Sequence, residues 1–311
     1  MNEQLAAVDL GSNSFRLSIG RLNSAQPEGP IDIVLRLHEP VHLAQGLNSK
    51  GELDDAAIGR ATKVLRLFRK HLKNLPSDRI LAVATNTFRI AKNANTILKE
   101  AEQALGHPIE IISGLDEARL IYKGVSYGLK PSNSNRLIID IGGGSTEVVL
   151  GHGTEPLVAN SLALGCATLS QRFFPNAKIN ATRLELAQLA AQQQFKTIAA
   201  AYKKHTWATA YGSSGTAKGV SAILQHKGWA KGPITESGLN RLRQQLIRDK
   251  KVAVENLPGI KPTRVPVLPG GLAILLAAFQ VFDLTELAIG DGALRQGVLC
   301  ELQHSLCQSA T

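Results

Sequence analysis

The sequence predicts an α/β protein built as two related halves, and three observations carry this. The phrase Val8-Asp9-Leu10-Gly11-Ser12-Asn13-Ser14 returns as Ile139-Asp140-Ile141-Gly142-Gly143-Gly144-Ser145. Each copy is an apolar run ending in Asp, a small-residue turn closing on Ser, and a second apolar run at 17–20 or 148–151. Strand-like and helix-like segments then alternate along the chain, the pattern of α/β architecture. With 311 residues, the chain is also longer than one core usually supports. Self-similarity with Asp and Ser kept in register marks internal duplication, where a lone Gly-rich hairpin would read as a tight turn.

The elements follow in order. A hairpin whose turn is made of small residues exposes consecutive backbone N–H groups, a concavity suited to phosphate. After it, Pro27-Glu28-Gly29-Pro30 reads as a turn leading to a strand at 31–37. A helix opens at Asp54 or Asp55 and carries Ile58, Ala61, Leu65, Phe68, Leu72 and Leu75 on one face. A strand at 81–85, a helix at 95–105, a strand at 109–112 and a helix at 116–125 complete the first half. The polar, turn-rich segment 126–136 places the domain boundary, giving domains 1–125 and 126–311, with the last helix able to pack back on the first. The second half repeats the hairpin, then adds a strand at 157–164, helices at 181–204, 215–225 and 236–250, and a final strand–helix unit through 287–302.

Composition narrows the function. The chain is 44% hydrophobic and 19% charged, ordinary globular material. Met1 is followed by Glu3 and Asp9 without a basic and then apolar leader, and the most apolar run, 272–279, is far short of the roughly 20 residues of a membrane span. Cys166, Cys300 and Cys307 lack metal-ligand spacing and read as free thiols. The expectation is a cytoplasmic protein with no membrane partner. A net charge of +10 and a pI near 9.6 call for an anionic partner. Aromatics are only 5%, and no helix-turn-helix, RNP or zinc-finger pattern reads bases, so phosphate-rich small molecules or polymers fit better than specific nucleic acid.

Several residues could carry chemistry. Asp9 and Asp140 end the strands that enter the two turns; a carboxylate beside a phosphate site repels its ligand unless a cation bridges them, which implies Mg²⁺ or Mn²⁺. Glu147, on the returning strand, reads as a second ligand, as an acid orienting water, or as a solvated strand residue; its counterpart in the first copy is Arg16. Arg89, where a strand gives way to a helix, reads as a phosphate cation or as a surface ion-pair partner. Glu117 follows a Ser113…Asp116 capping pattern and reads as a general base or as a dipole-favoured acid. Gly212-Ser213-Ser214-Gly215-Thr216 and Pro269-Gly270-Gly271 each precede a helix and read equally as cap or as ligand contact. Lys63, Arg66, Lys70 and Lys73 form a basic face opposite the apolar stripe of their helix, either merely solvated or a guide for a polyanion.

The runs AAVDLGSNSFRLSIG, ATNTFRIAKNA, IISGLDEARLIYKGV, IIDIGGGSTEVVLG, LALGCATLSQRF, YGSSGTAKG and LPGGLAIL span nearly the whole chain in order. Together they resemble the exopolyphosphatase/guanosine pentaphosphate phosphohydrolase (Ppx/GppA) family in its short two-domain form. The resemblance implies two ribonuclease-H-like domains of the actin-like ATPase (ASKHA) fold around a central cleft. It also implies Mg²⁺-dependent release of the terminal phosphate of inorganic polyphosphate or guanosine pentaphosphate, and it admits a homodimer. By motif, Glu117 resembles the catalytic base, Asp140 and Glu147 the acids that manage metal and water, and Arg89 the phosphate-gripping arginine. Gly11, Ser12, Asn13 and Ser14, with Gly142, Gly143, Gly144 and Ser145, match the two phosphate turns; Gly212, Ser213 and Ser214 are a third candidate contact. Asp116 stands where many relatives have a second Glu, and the helical C-terminal region of long members does not follow the Gly290-Asp291-Gly292 segment. An ATP-dependent kinase of the same fold and a non-catalytic polyphosphate or alarmone sensor are the alternatives.

Overall fold

The structure, a computed structural model, describes residues 4–23 and 29–309. The expected turn at Pro27-Glu28 lies outside the described residues. The chain divides into two compact units, Met1–Tyr127 with Gly292–Thr311, and Gly128–Asp291.

In the first unit, β1 (Gln4–Leu10), β2 (Ser14–Arg21) and β3 (Asp32–Pro40) form an antiparallel meander. Helix α1 (Asp55–Leu72) follows, its free amides capped by Asp54, which accepts from Ala57 N at 2.7 Å. Next come β4 (Ile80–Ala84), the short α2 (Asn86–Ile90), α3 (Ala94–Leu105), β5 (Glu110–Ile111) and α4 (Gly114–Tyr127). The sheet order is β3-β2-β1-β4-β5, with β4 and β5 parallel to β1.

The second unit repeats this plan. Strands β6 (Asn135–Ile141), β7 (Thr146–His152) and β8 (Glu155–Leu162) form the meander. After it come α5 (Cys166–Phe173), α6 (Ala181–Tyr202), β9 (Thr209–Ser213), α7 (Ser214–His226), β10 (Ile234–Thr235), α8 (Glu236–Asp249), α9 (Leu268–Val281) and β11 (Glu286–Ile289). The order β10-β11-β9-β6-β7-β8 is that of the first unit with one short antiparallel edge strand added. Each unit is thus ribonuclease-H-like, and a pair of such units is the actin-like ATPase fold.

The last helix, α10 (Leu294–Ser309), belongs to the first unit, so the second ends at Asp291 rather than at 311. Leu294, Val298, Leu299 and Leu302 are buried as α10 packs on α4 and β1. Local sequence shows only an apolar helix; which sheet face it covers is decided by packing. Helix α5, only eight residues long, is not among the elements expected from sequence. Pro269-Gly270-Gly271 lies inside the first turn of α9 instead of preceding it. A Cβ on Gly270 would sit 2.4 Å from Cys166 O and 2.6 Å from Ser170 Oγ, so this glycine lets α9 lie against α5. With the 3₁₀ segment Pro262–Val267 leading into it, α9 extends the apolar helical stretch to the 20 residues Pro262–Val281, longer than the run visible in sequence. It is the one described helix long and apolar enough to cross a membrane, yet most of it is buried in the core of its own unit.

Strand alternation decides what each hairpin shows. Ala6, Val8 and Leu10 of β1 and Phe15, Leu17 and Ile19 of β2 enter the core beneath α1 and α3. Side chains of opposite parity, Asp9, Arg16 and Ser18, therefore share the other face, the one α10 crosses. In the second unit Leu137, Ile139, Ile141, Val148 and Leu150 enter the core, which leaves Asp140 and Glu147 together on the opposite face.

Candidate active site

The two turns are held in a related way, with the accepting carbonyls one residue out of register between the copies. In the first, Ser12 O accepts from Ala44 N at 2.9 Å, and Asn13 O accepts from Val41 N at 3.1 Å and His42 N at 2.9 Å. In the second, Gly142 O accepts from Cys166 N at 2.9 Å, and Gly143 O accepts from Ala167 N at 2.9 Å and Thr168 N at 3.3 Å. Each turn thus presents its carbonyls to the start of the next helical turn of the chain. Gly142 N donates to Ser145 O at 2.9 Å, and among the described residues the amides of Gly11, Ser12, Asn13, Gly143 and Gly144 are left as groups an anion can use, the arrangement of a backbone nest. The preceding strand ends are tied in the same way: Leu10 O accepts from Thr85 N at 3.3 Å, and Ile141 O from Ser214 Oγ at 2.9 Å and Thr216 Oγ1 at 3.0 Å. Gly165 makes the second turn possible, since a Cβ there would lie 2.1 Å from Gly143 O.

The segment Gly212–Ser214 acts through its hydroxyls on β6. Ser213 is fully buried and donates to Asp140 Oδ2, while Ser214 braces Ile141 from a left-handed backbone with φ +63°. Neither serine caps α7 through its side chain: Ser213 is the N-cap residue and makes no such bond. The serines hold the acid and the strand end, a supporting part that the motif alone does not reveal.

Asp140 and Glu147 are directly opposite across the hairpin, and both are buried. Glu147 Oε1 accepts from Ser161 Oγ at 2.7 Å. Like charges in facing positions repel unless a cation or a proton separates them. Among the described residues no group of three or more His, Cys, Asp or Glu could hold a metal ion. Two carboxylates nevertheless suit Mg²⁺, which is commonly held by one or two acids with waters and substrate phosphates.

Asp9 has different company. Arg16, its cross-strand neighbour, stands at 4.0 Å, and Arg295 of α10 donates to Ser18 Oγ at 2.9 Å on the same face. Burial pushes the Asp9 carboxyl above its ordinary range, with Arg16 and Arg295 opposing the shift. Burial first, and then the charges of Arg16 and Arg36, bring Arg295 down to about 10 against an upward pull from Asp9. Asp9, expected with Asp140 and Glu147 to hold metal, thus has guanidiniums as its charged neighbours. Arg295 was not foreseen; its place depends on α10 returning to the first unit.

Arg89 and Glu117, separate in sequence, meet in the first unit. Arg89 Nη1 donates to Glu117 Oε2 at 2.8 Å and to Ile112 O at 3.1 Å. Glu117 is buried in the first turn of α4, its N–H bonded to Ser113 O at 2.9 Å. Ser113 Oγ accepts from Asp116 N at 3.1 Å and donates to Asp116 Oδ2 at 2.6 Å, so Asp116 is occupied with the helix start and Glu117 is not needed for it. Arg89 is therefore an ion-pair partner, but its partner is the candidate base rather than a surface acid.

Two sheets that each bear a nest-forming turn, with buried carboxylates on their strands, are the equipment of a phosphoryl-handling protein. The family model of the Ppx/GppA phosphatase family matches residues 23–306. The chain belongs to the Ppx/GppA phosphatase family. Among solved structures, the PPX-GPPA enzyme of Aquifex aeolicus is 26% identical, with 96% of this chain and 99% of that chain covered at a TM-score of 0.77. An exopolyphosphatase from Cytophaga hutchinsonii is 21% identical, with 97% and 98% covered at a TM-score of 0.85, and shares the fold. One residue that the sequence reading missed stands at the first turn, His42. It carries the N–H that reaches Asn13 O, and its Nδ1 lies 2.9 Å from Asn13 Oδ1. An isolated His within Val41-His42-Leu43 gives no periodic or motif signal.

Proposed function

We propose that this protein is a cytoplasmic hydrolase that releases the terminal phosphate of inorganic polyphosphate or the 5′ terminal phosphate of guanosine pentaphosphate. The observation that carries the reading is the pairing of anion-holding turns with buried acids. Carboxylates oppose anion binding, so three of them, Glu117, Asp140 and Glu147, buried in such a protein are there to perform a step.

In this mechanism the turn amides of Gly11–Ser14 and Gly143–Ser145 hold phosphate oxygens. Glu117 removes a proton from a water in line with the terminal phosphorus. The water oxygen bonds to phosphorus, the anhydride P–O bond breaks, and inorganic phosphate and the shortened substrate leave. Arg89 orients the Glu117 carboxylate through Oε2 and adds positive charge as the phosphoryl oxygens become more negative. Asp140, aligned by Ser213, and Glu147, aligned by Ser161, would hold Mg²⁺ or Mn²⁺. When bound, such an ion neutralises charge on the phosphates and acts as a Lewis acid.

The test is phosphate release measured side by side with short polyphosphate, long polyphosphate, guanosine pentaphosphate, and ATP with and without a hydroxyl acceptor. Release from the first three in the absence of acceptor supports the reading. Transfer from ATP to the acceptor, with no release from the others, overturns it in favour of a kinase.

A further inference from the structure

His42 sits in the left-handed region at φ +51° and ψ +45°, a conformation that costs a non-glycine residue and persists only where its surroundings compel it. Here they do. Arg60 Nε donates to Val41 O at 2.9 Å, and the Val41 and His42 amides both donate to Asn13 O, at 3.1 and 2.9 Å. This backbone places the imidazole so that Nδ1 lies 2.9 Å from Asn13 Oδ1. Asn13 is the partly exposed side chain of its turn, between buried Ser12 and Ser14. With Oδ1 engaged by an N–H, what the amide keeps is its Nδ2 group, two donors that make no hydrogen bond among the described residues.

An asparagine amide can be turned either way, and the two ways are opposites to an anion: one offers N–H, the other a carbonyl oxygen. We propose that His42 is a positioning residue that sets the polarity of the Asn13 amide, holding Oδ1 back so that Nδ2 is offered to a phosphate oxygen of the substrate. The inference rests on the reading of Gly11–Ser14 as a phosphate turn. Nδ1–H is a donor in the matching neutral tautomer and in the cation alike, so the device works in either charge state. Burial and the charge of Arg60 hold the His42 pKa below its usual value, which favours the neutral ring.

The experiment compares His42→Asn with His42→Gly in the full chain. Both residues accept a left-handed backbone, but only Asn places an N–H donor where Nδ1 stands. The readouts are KM and kcat on short polyphosphate, the inhibition constant of inorganic phosphate, and the thermal midpoint. His42→Asn is expected to keep the wild-type KM. His42→Gly should raise KM and weaken phosphate inhibition by about tenfold, the worth of one hydrogen bond to a charged group. In an Asn13→Ala background the difference between the two variants should vanish. Equal KM values for the two single variants, while Asn13→Ala raises KM, overturn the role of His42 alone. An Asn13→Ala variant with unaltered KM and phosphate inhibition overturns the phosphate-turn reading, and the inference with it. A shift in thermal midpoint that accompanies an unchanged KM marks His42 as structural only and overturns the proposal.

Discussion

Arg89 reaches from the end of α2 to the first turn of α4 and holds Glu117 by an ion pair of 2.8 Å, both side chains largely withdrawn from solvent. The same nitrogen also bonds Ile112 O, the carbonyl just before the turn that starts α4. One guanidinium thus fixes both a carboxylate and the backbone that carries it.

Replacing the carboxylate tests the base directly. Glu117→Gln keeps the shape and removes the proton acceptor, so turnover should fall on the order of 10²-fold or more. KM should hold steady or drop, because a negative charge leaves an anion-binding protein. Steady-state kinetics on short polyphosphate decide the matter, and a variant with most of its turnover removes Glu117 from the mechanism.

The facing acids of the second unit predict a dependence on divalent metal. Phosphate release should stop in excess chelator and return with Mg²⁺ or Mn²⁺, while Asp140→Asn should need a much higher metal concentration for half-activation. A metal titration of both proteins checks this. Undiminished activity in chelator would show that the repulsion between Asp140 and Glu147 is relieved by a proton instead.

Asp9 predicts a pH dependence of stability. Its folded-state pKa is raised by burial, so between the ordinary carboxylate value and the raised one the folded protein binds more protons than the unfolded chain. Stability contributed by this group is therefore present below the ordinary value and is lost as pH rises through the folded pKa. Thermal midpoints of wild type and Asp9→Asn, measured from pH 3.5 to 7.5, should show the wild type losing ground to the variant as pH rises. A difference that stays flat or grows with pH would mean that Arg16 and Arg295 outweigh the burial.

Lys63, Arg66 and Lys70 of α1 and Lys73 at its C-terminal cap are all exposed, opposite Ala61, Leu65, Phe68 and Leu72, and among the described residues none has an acid at ion-pair distance. Reversing Lys63 and Lys70 to Glu should raise KM for long polyphosphate and flatten its salt dependence, because fewer counterions are released on binding. KM for a short substrate should barely move. An equal response to both lengths leaves this face as a solvated surface.

Much of this protein is written locally. The repeated Asp, the glycines and the closing Ser specify two hairpins, since small residues permit the turn and alternation sends Asp140 and Glu147 to one face and their neighbours to the core. The capping residues Asp54 and Ser113 mark helix starts by bonds that span only three residues. What could not be read were pairings between segments far apart in the chain. Glu117 could be located on its helix, but nothing in its neighbourhood names Arg89 as its partner. Asp9 looks like Asp140 in sequence and differs from it because β2 offers Arg16 where β7 offers Glu147, and because α10 returns to lay Arg295 on the same face. Hydrophobic period and turn chemistry act over a few residues and are visible in any window of that length. The charge environment of a buried side chain depends on which distant elements the core brings together, and that was decided only by the tertiary fold.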